Sequence, residues 1–163
     1  MTTEPPTHAE SPPPLRARLS DVPLPALVLG LGGLIPFLAG AVAVWLFEPM
    51  AARVAQDMQV AYATVILSFL GAVHWGAALS RPDGARSWGW MGWSVTPALL
   101  AWFSVMMAPE SALMALMACY LAAFAVDMQA VKKGLLPLWY LSLRRVLTTG
   151  AFLCLGATLL RLG

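Results

Sequence analysis

Tyr140, Arg144 and Thr148 recur every four residues near the end of this 163-residue chain, and a carboxylate, Asp127, precedes them. On a helix, four-residue spacing puts side chains on one face. A phenol, a guanidinium and a hydroxyl in one stripe, with a carboxylate on a neighbouring segment, fit three kinds of chemistry: an ion pair, an anion site or a proton relay. His74 is the further candidate. It is the one histidine or charged side chain in AYATVILSFLGAVHWGAAL (61–79). Ionisable groups in such apolar surroundings are expensive, and they mark functional sites or tight pairs. The leading expectation is a structural ion pair from Asp127 to Arg144 or Arg145, with His74 hydrogen-bonded to a neighbouring helix. A transport or catalytic role stands behind it.

The elements that must hold these residues follow from composition. Sixty per cent of the residues are hydrophobic (60%) and 11% are charged, against about 25% charged in soluble domains. A soluble domain this short cannot enclose so much apolar surface, so the solvent is lipid. No Asp, Glu, Lys or Arg occurs between Asp21 and Glu48, between Asp57 and Arg81, or between Arg86 and Glu110. A spanning helix takes about 20 apolar residues, and these three runs are long enough. The runs from Glu110 to Asp127 and from Arg145 to Arg161 are shorter and need their flanks, including Pro137, a good opening residue for a helix. The expected fold is an all-α integral membrane bundle of about five transmembrane helices, over 24–47, 58–80, 88–107, 110–130 and 138–160. It occupies residues 21–163 as one domain, after a disordered, proline-rich cytoplasmic tail over 1–20 that includes His8. The first run is much longer than the roughly 7–15-residue core of a cleaved signal peptide.

Orientation follows from the cations. With the N-terminus in the cytoplasm, Arg16, Arg18, Arg81, Arg86, Lys132, Lys133, Arg144 and Arg145 fall inside, and Arg53 and Arg161 outside. Gly163 then lies outside. Trp88, Trp90, Trp93 and Trp139 stand at helix starts, as an interfacial belt requires. This topology brings His74, Asp127 and Arg144 to similar depth near the cytoplasmic face.

Small residues should mediate helix contact. Gly30, Gly33 and Gly40 crowd the first segment around Pro36, and Gly71 shares a face with Ser68 and Trp75. Gly30, Gly32 and Gly33 make no nucleotide loop, because no strand precedes them and no lysine follows. Cys119 and Cys154 are too few for a disulfide framework or a zinc site. Scattered methionines read as apolar filler rather than a copper motif. No metal or cofactor is implied, and no basic, aromatic-interleaved patch suits nucleic acid. Signatures of serine, zinc or aspartyl intramembrane enzymes are absent.

The stretches YATVILSFLGAVHWG (62–76) and DMQAVKKGLLPLWYLSLRRVLT (127–148) resemble a bacterial membrane family catalogued as domain of unknown function 3429, whose mitochondrial relatives are similar to transmembrane protein 69. The resemblance covers most of residues 22–160. It implies a multi-span inner-membrane protein and brings no activity with it. His74, Asp127, Pro137, Trp139, Tyr140, Arg144 and Thr148 lie in those motifs. The expectation is therefore a non-enzymatic accessory, assembly or lipid-interacting protein, whose partners are the bilayer and another membrane protein or a second copy. The alternative is a small transporter using the polar cluster as a proton or anion site. An inverted repeat would favour the transporter, and five spans do not divide into equal halves.

Overall fold

The computed structural model describes residues 18–162. The expected disordered tail, with His8 and Arg16, falls almost wholly outside them, as does Gly163. Its last residues enter a short 3-10 turn at Leu19–Asp21, closed by the Asp21 carboxylate accepting from the Arg18 N–H at 2.8 Å. Six α-helices follow: α1 (Leu24–Gly32), α2 (Ile35–Leu46), α3 (Pro49–Leu79), α4 (Trp88–Val105), α5 (Pro109–Lys132) and α6 (Leu138–Leu162). No strand occurs among the described residues.

The first expected span is broken in two. Pro36 has no N–H to offer the preceding turn, and the chain tightens there. Gly33 N–H reaches both Leu29 and Gly30 carbonyls at 3.0 Å, and Leu34 N–H bonds three residues back to Leu31. The helix axis restarts at Ile35. Two side chains of α3 satisfy the backbone at the break. The Tyr62 hydroxyl donates to the Gly33 carbonyl at 3.0 Å, and the Gln59 amide donates to the Phe37 carbonyl at 2.8 Å. Below the break α2 packs on α3 and α6; above it α1 packs on α6 and stands off from α3.

The second span starts nine residues before its expected position, at Pro49. Arg53 and Asp57 bound the apolar run, but exposed charges do not stop a helix, and both are exposed. At 31 residues α3 is about 46 Å long, well beyond a hydrocarbon core of about 30 Å. The α4 boundaries match expectation within two residues, and α5 and α6 match theirs within two.

Four stretches are long and apolar enough to cross a membrane: Leu24–Leu46, Pro49–Leu79, Pro109–Lys132 and Leu138–Leu162. The remaining helix, α4, has 18 residues diluted by tryptophan, glycine, serine and Pro97. It nevertheless lies antiparallel along α3, with Gly71 at the closest approach. A Cβ on Gly71 would stand 2.3 Å from the Ser94 carbonyl oxygen. The seam on α3 is Ala63, Leu67, Leu70, Gly71, His74 and Ala78, all buried. Trp75, expected in that seam, is instead 42% exposed, because it lies one residue off the buried stripe.

The other glycines differ in what they contact. Gly30 faces Leu143 and Leu147 of α6, 3.3 Å from where a Cβ would sit, and Gly40 faces the Gln59 stem at 2.8 Å. Gly33 meets mainly its own turn at 3.1 Å, with the Tyr62 hydroxyl beyond at 3.7 Å, so its place is in the helix break more than in a helix–helix contact. The core between the rods is Phe37, Leu67, Leu113, Leu116, Tyr120 and Leu155. Of the methionines, Met117 packs against that core, whereas Met106, Met107 and Met114 face outward.

Candidate functional site: a buried His–Asp–Arg triad beside a lateral cleft

The polar residues of α5 and α6 meet because the loop between them is short and sharply turned. Gly134, at φ +66°, takes the left-handed conformation that ends α5. Leu135 N–H reaches back to the Ala130 carbonyl at 2.8 Å, and Gly134 N–H to Val131 at 3.0 Å. This reverses the chain within five residues and sets α6 antiparallel to α5. The Arg81 guanidinium, from the loop after α3, bonds the Gly134 carbonyl and ties α3 to the same corner.

Asp127 sits in the second-last turn of α5, and its two oxygens face two different helices. Arg144 of α6 donates from Nε to Oδ2 at 2.6 Å. The His74 Nε2 of α3 lies 2.8 Å from Oδ1, where a ring N–H donates to the carboxylate. The three side chains are 1%, 3% and 4% exposed, respectively, so they are out of solvent. Arg145 points outward. On its other side the His74 ring stacks on Trp90 of α4, with centroids 6.1 Å apart and planes 4° from parallel. Lys133 Nζ lies 5.3 Å from the centre of the same indole. One aspartate thus clasps α3 and α6 to α5, and Trp90 adds α4.

Tyr140 and Thr148 share the Arg144 face, and both have their oxygens buried. Neither the Tyr140 hydroxyl, the Thr148 hydroxyl nor the Arg144 Nη2 has a hydrogen-bond partner among the described residues. The stripe therefore keeps unused donors beside a satisfied ion pair. The hydrogen bond of the His74 ring goes to Asp127, and no three His, Cys, Asp or Glu side chains converge on a metal-sized site among the described residues.

Tyr140 and Arg144 also line a cleft of about 360 Å³ between α1, α3 and α6. Tyr120 and Trp139 line it too, and the rest of its walls are apolar, including Ala26, Phe37, Phe69, Val73 and Leu147. Leu29 and Phe69 flank it and are well exposed on the outer surface, so it opens sideways. The opening lies beside the break at Gly33, where α1 packs on α6 rather than on α3.

A second polar group was missed by the reading of spacing and charge. At the opposite end of the bundle Thr158 of α6 donates to Gln59 Oε1 at 2.7 Å, while Gln59 Nε2 holds the Phe37 carbonyl. Gln59, Thr158 and the neighbouring Gln56 are all buried. Their signal was positional. Gln59 precedes Ala63, Leu67, Leu70 and His74 on one stripe, and Thr158 continues the stripe of Arg144, Thr148, Ala151 and Leu155.

Among known proteins, the chain is similar to transmembrane protein 69 of Xenopus tropicalis, 35% identical over 144 residues, and to that of Mus musculus, 28% identical over 147. Each alignment takes in 87% of this chain and 56% or 58% of the relative, so the chain spans little more than half the length of these relatives. No solved structure matches it. Residues 22–160 match the family described as protein of unknown function (DUF3429), which takes in α1 to α5, all but the last two residues of α6, and the whole triad. The chain belongs to that family.

Proposed function

We propose that this is a multi-pass protein of the bacterial inner membrane that binds a lipid-soluble molecule without transforming it. The observation that carries this reading is the lateral cleft. It is apolar, it opens on the face that lipid covers, and its volume of about 360 Å³ falls within the range of about 300–1,000 Å³ of ligand pockets. The non-enzymatic part rests on the triad, whose carboxylate is engaged on both oxygens, by His74 and by Arg144. In this reading α4 crosses the bilayer with the other four rods, held by its packing on α3 rather than by its own hydropathy. The N-terminus lies in the cytoplasm, supported by the eight-to-two division of cations.

Mass spectrometry of the tagged chain, purified in mild detergent, tests the binding. A lipid-soluble species should co-purify with the parent and be lost from Ala26→Phe, which fills the cleft from α1. Equal lipid content in both overturns the reading, as does coupled flux of protons and solute through the pure protein in liposomes. A reporter fused after Gly163 should sit on the periplasmic side; a cytoplasmic signal there defeats the five-crossing topology.

A further inference from the structure

Apart from the cleft, we infer that a pocket between Arg53 and Arg161, at the end of the bundle away from the triad, binds a phosphate-type anion. The pocket, of about 240 Å³, lies where α2 ends, α3 begins and α6 ends. Among the described residues, Arg53 and Arg161 are the two lysines or arginines at this end, and both line it. Arginine is always charged, and both residues are exposed, so a ligand from outside reaches them. Neither takes part in an ion pair among the described residues. Asp57 stands four residues after Arg53, the spacing at which helix ion pairs form, yet that pair is not made. Glu48 and Glu110, the other carboxylates of this end, are exposed like Asp57, and none of the three lines the pocket. The first turn of α3 has no side-chain cap and borders the pocket at Pro49 and Ala52, so the positive end of its dipole adds to the field. Gln56 lines the pocket as well, but its Nε2 is sealed from it and contributes no donor. An oxyanion between the two guanidinium groups meets both charges and accepts paired N–H donors.

Phosphate reaches such a pocket either free in water or as a lipid headgroup, and the surroundings favour the headgroup. Trp45, half-exposed, donates its indole N–H to the Ala157 carbonyl at 3.0 Å, one turn before Arg161 on α6. A tryptophan placed in this way marks the depth at which headgroups meet the acyl region. Val44, Ala52 and Leu162 give the pocket apolar walls. A bare phosphate ion makes no use of such walls, whereas a glycerol and its acyl esters do. A zwitterionic headgroup carries its own cation beside the phosphate, so an anionic phospholipid is the better fit.

The full-length chain in a non-ionic detergent is titrated with dioleoyl phosphatidylglycerol, dioleoyl phosphatidylcholine and inorganic phosphate. Phosphatidylglycerol should bind saturably, less tightly as salt is raised, with phosphatidylcholine at least tenfold weaker. Arg53→Gln and Arg161→Gln should each weaken that binding about three- to tenfold, and together they should abolish it. Both positions are exposed, so these variants should keep the fold, which retained helicity and unfolding temperature verify. Lys132→Gln with Lys133→Gln, at the other end of the bundle, is the control and should leave the saturable binding in place. Inorganic phosphate that binds as tightly as the lipid, with the same dependence on the two arginines, assigns the free ion as the source and upholds the site. Anion binding that survives the double arginine variant overturns the inference, as does binding lost only in the lysine control. Absence of saturable binding by either anion overturns it too. None of these four residues lines the lateral cleft, so this inference and the lipid-binding reading stand or fall separately.

Discussion

The two ends of the bundle solve the same problem with different chemistry. Each joins three helices through polar side chains buried among apolar ones. Near the end of α3 the join is ionic: Asp127 holds Arg144 and His74. Near its beginning the join is neutral: Gln59 holds the Phe37 carbonyl and accepts from Thr158. The ionic join carries the greater penalty when half of it is lost, because a lone buried charge has no cheap alternative. The neutral join is tolerant, since hydrogen bonds between membrane helices contribute about 0.6 kcal/mol on average and about 1.7 at most. Both ends keep buried donors without a partner, Gln56 Nε2 at the neutral one and the Tyr140, Arg144 and Thr148 groups at the charged one, and only the charged end borders the cleft. The neutral join spends its amide on a helix break and serves as structure.

The sharpest way to break this contrast is to orphan a charge. Asp127→Ala should lower the unfolding free energy in detergent by about 3–5 kcal/mol, and Asp127→Leu with Arg144→Met should cost clearly less. A double variant as unstable as the single one would mean that the ions attract too strongly for the orphan account. Next in size is Gly71→Ala, where the added Cβ meets the Ser94 carbonyl 2.3 Å away and neither backbone can yield. A loss of about 1–3 kcal/mol is expected from thermal unfolding. Gly40→Ala should cost less, since it presses on the Gln59 side chain rather than on backbone. At the neutral end, Gln59→Leu should cost about 1–2 kcal/mol, leaving the Phe37 carbonyl and the Thr158 hydroxyl to find other partners. If Gln59→Leu proves as damaging as Asp127→Ala, the two ends are equivalent and the contrast disappears. The smallest effect expected is for Tyr62→Phe, about 0.5–1.5 kcal/mol, because one hydroxyl is lost from a carbonyl at the break.

Residues that are rare in lipid were legible from sequence. His74, Asp127 and Arg144 stood out because each is a polar exception in an apolar run, and the short turn at Gly134 brings two of them onto adjacent antiparallel helices. The rods were legible for the same reason, except where charge was taken as a helix boundary. Charge bounds the hydrocarbon core, not the hydrogen-bond ladder, so α3 begins at Pro49 instead of residue 58. Gln59 and Thr158 went unnoticed because neutral polar residues are common in membrane helices and only their place on the buried stripes sets them apart. The cleft was not legible at all. It depends on how α1 and α2 are set to one another across the break, and a helical wheel carries no information about that setting.

The broken first span has a consequence for synthesis. Gly33 and Phe37 each offer a carbonyl whose side-chain partner, Tyr62 or Gln59, belongs to α3, and Tyr62 lies 29 residues downstream of Gly33. At translation rates of about 5–20 residues per second, the ribosome needs roughly 1–6 s to make that partner once the break exists. During that interval the first span has an incomplete hydrogen-bond ladder and lacks the helix that will close it. The nascent chain therefore has reason to stay beside water or the insertion machinery until α3 arrives. In the proposed topology, insertion of the first two spans becomes one coupled event, paced by the emergence of Gln59 and Tyr62.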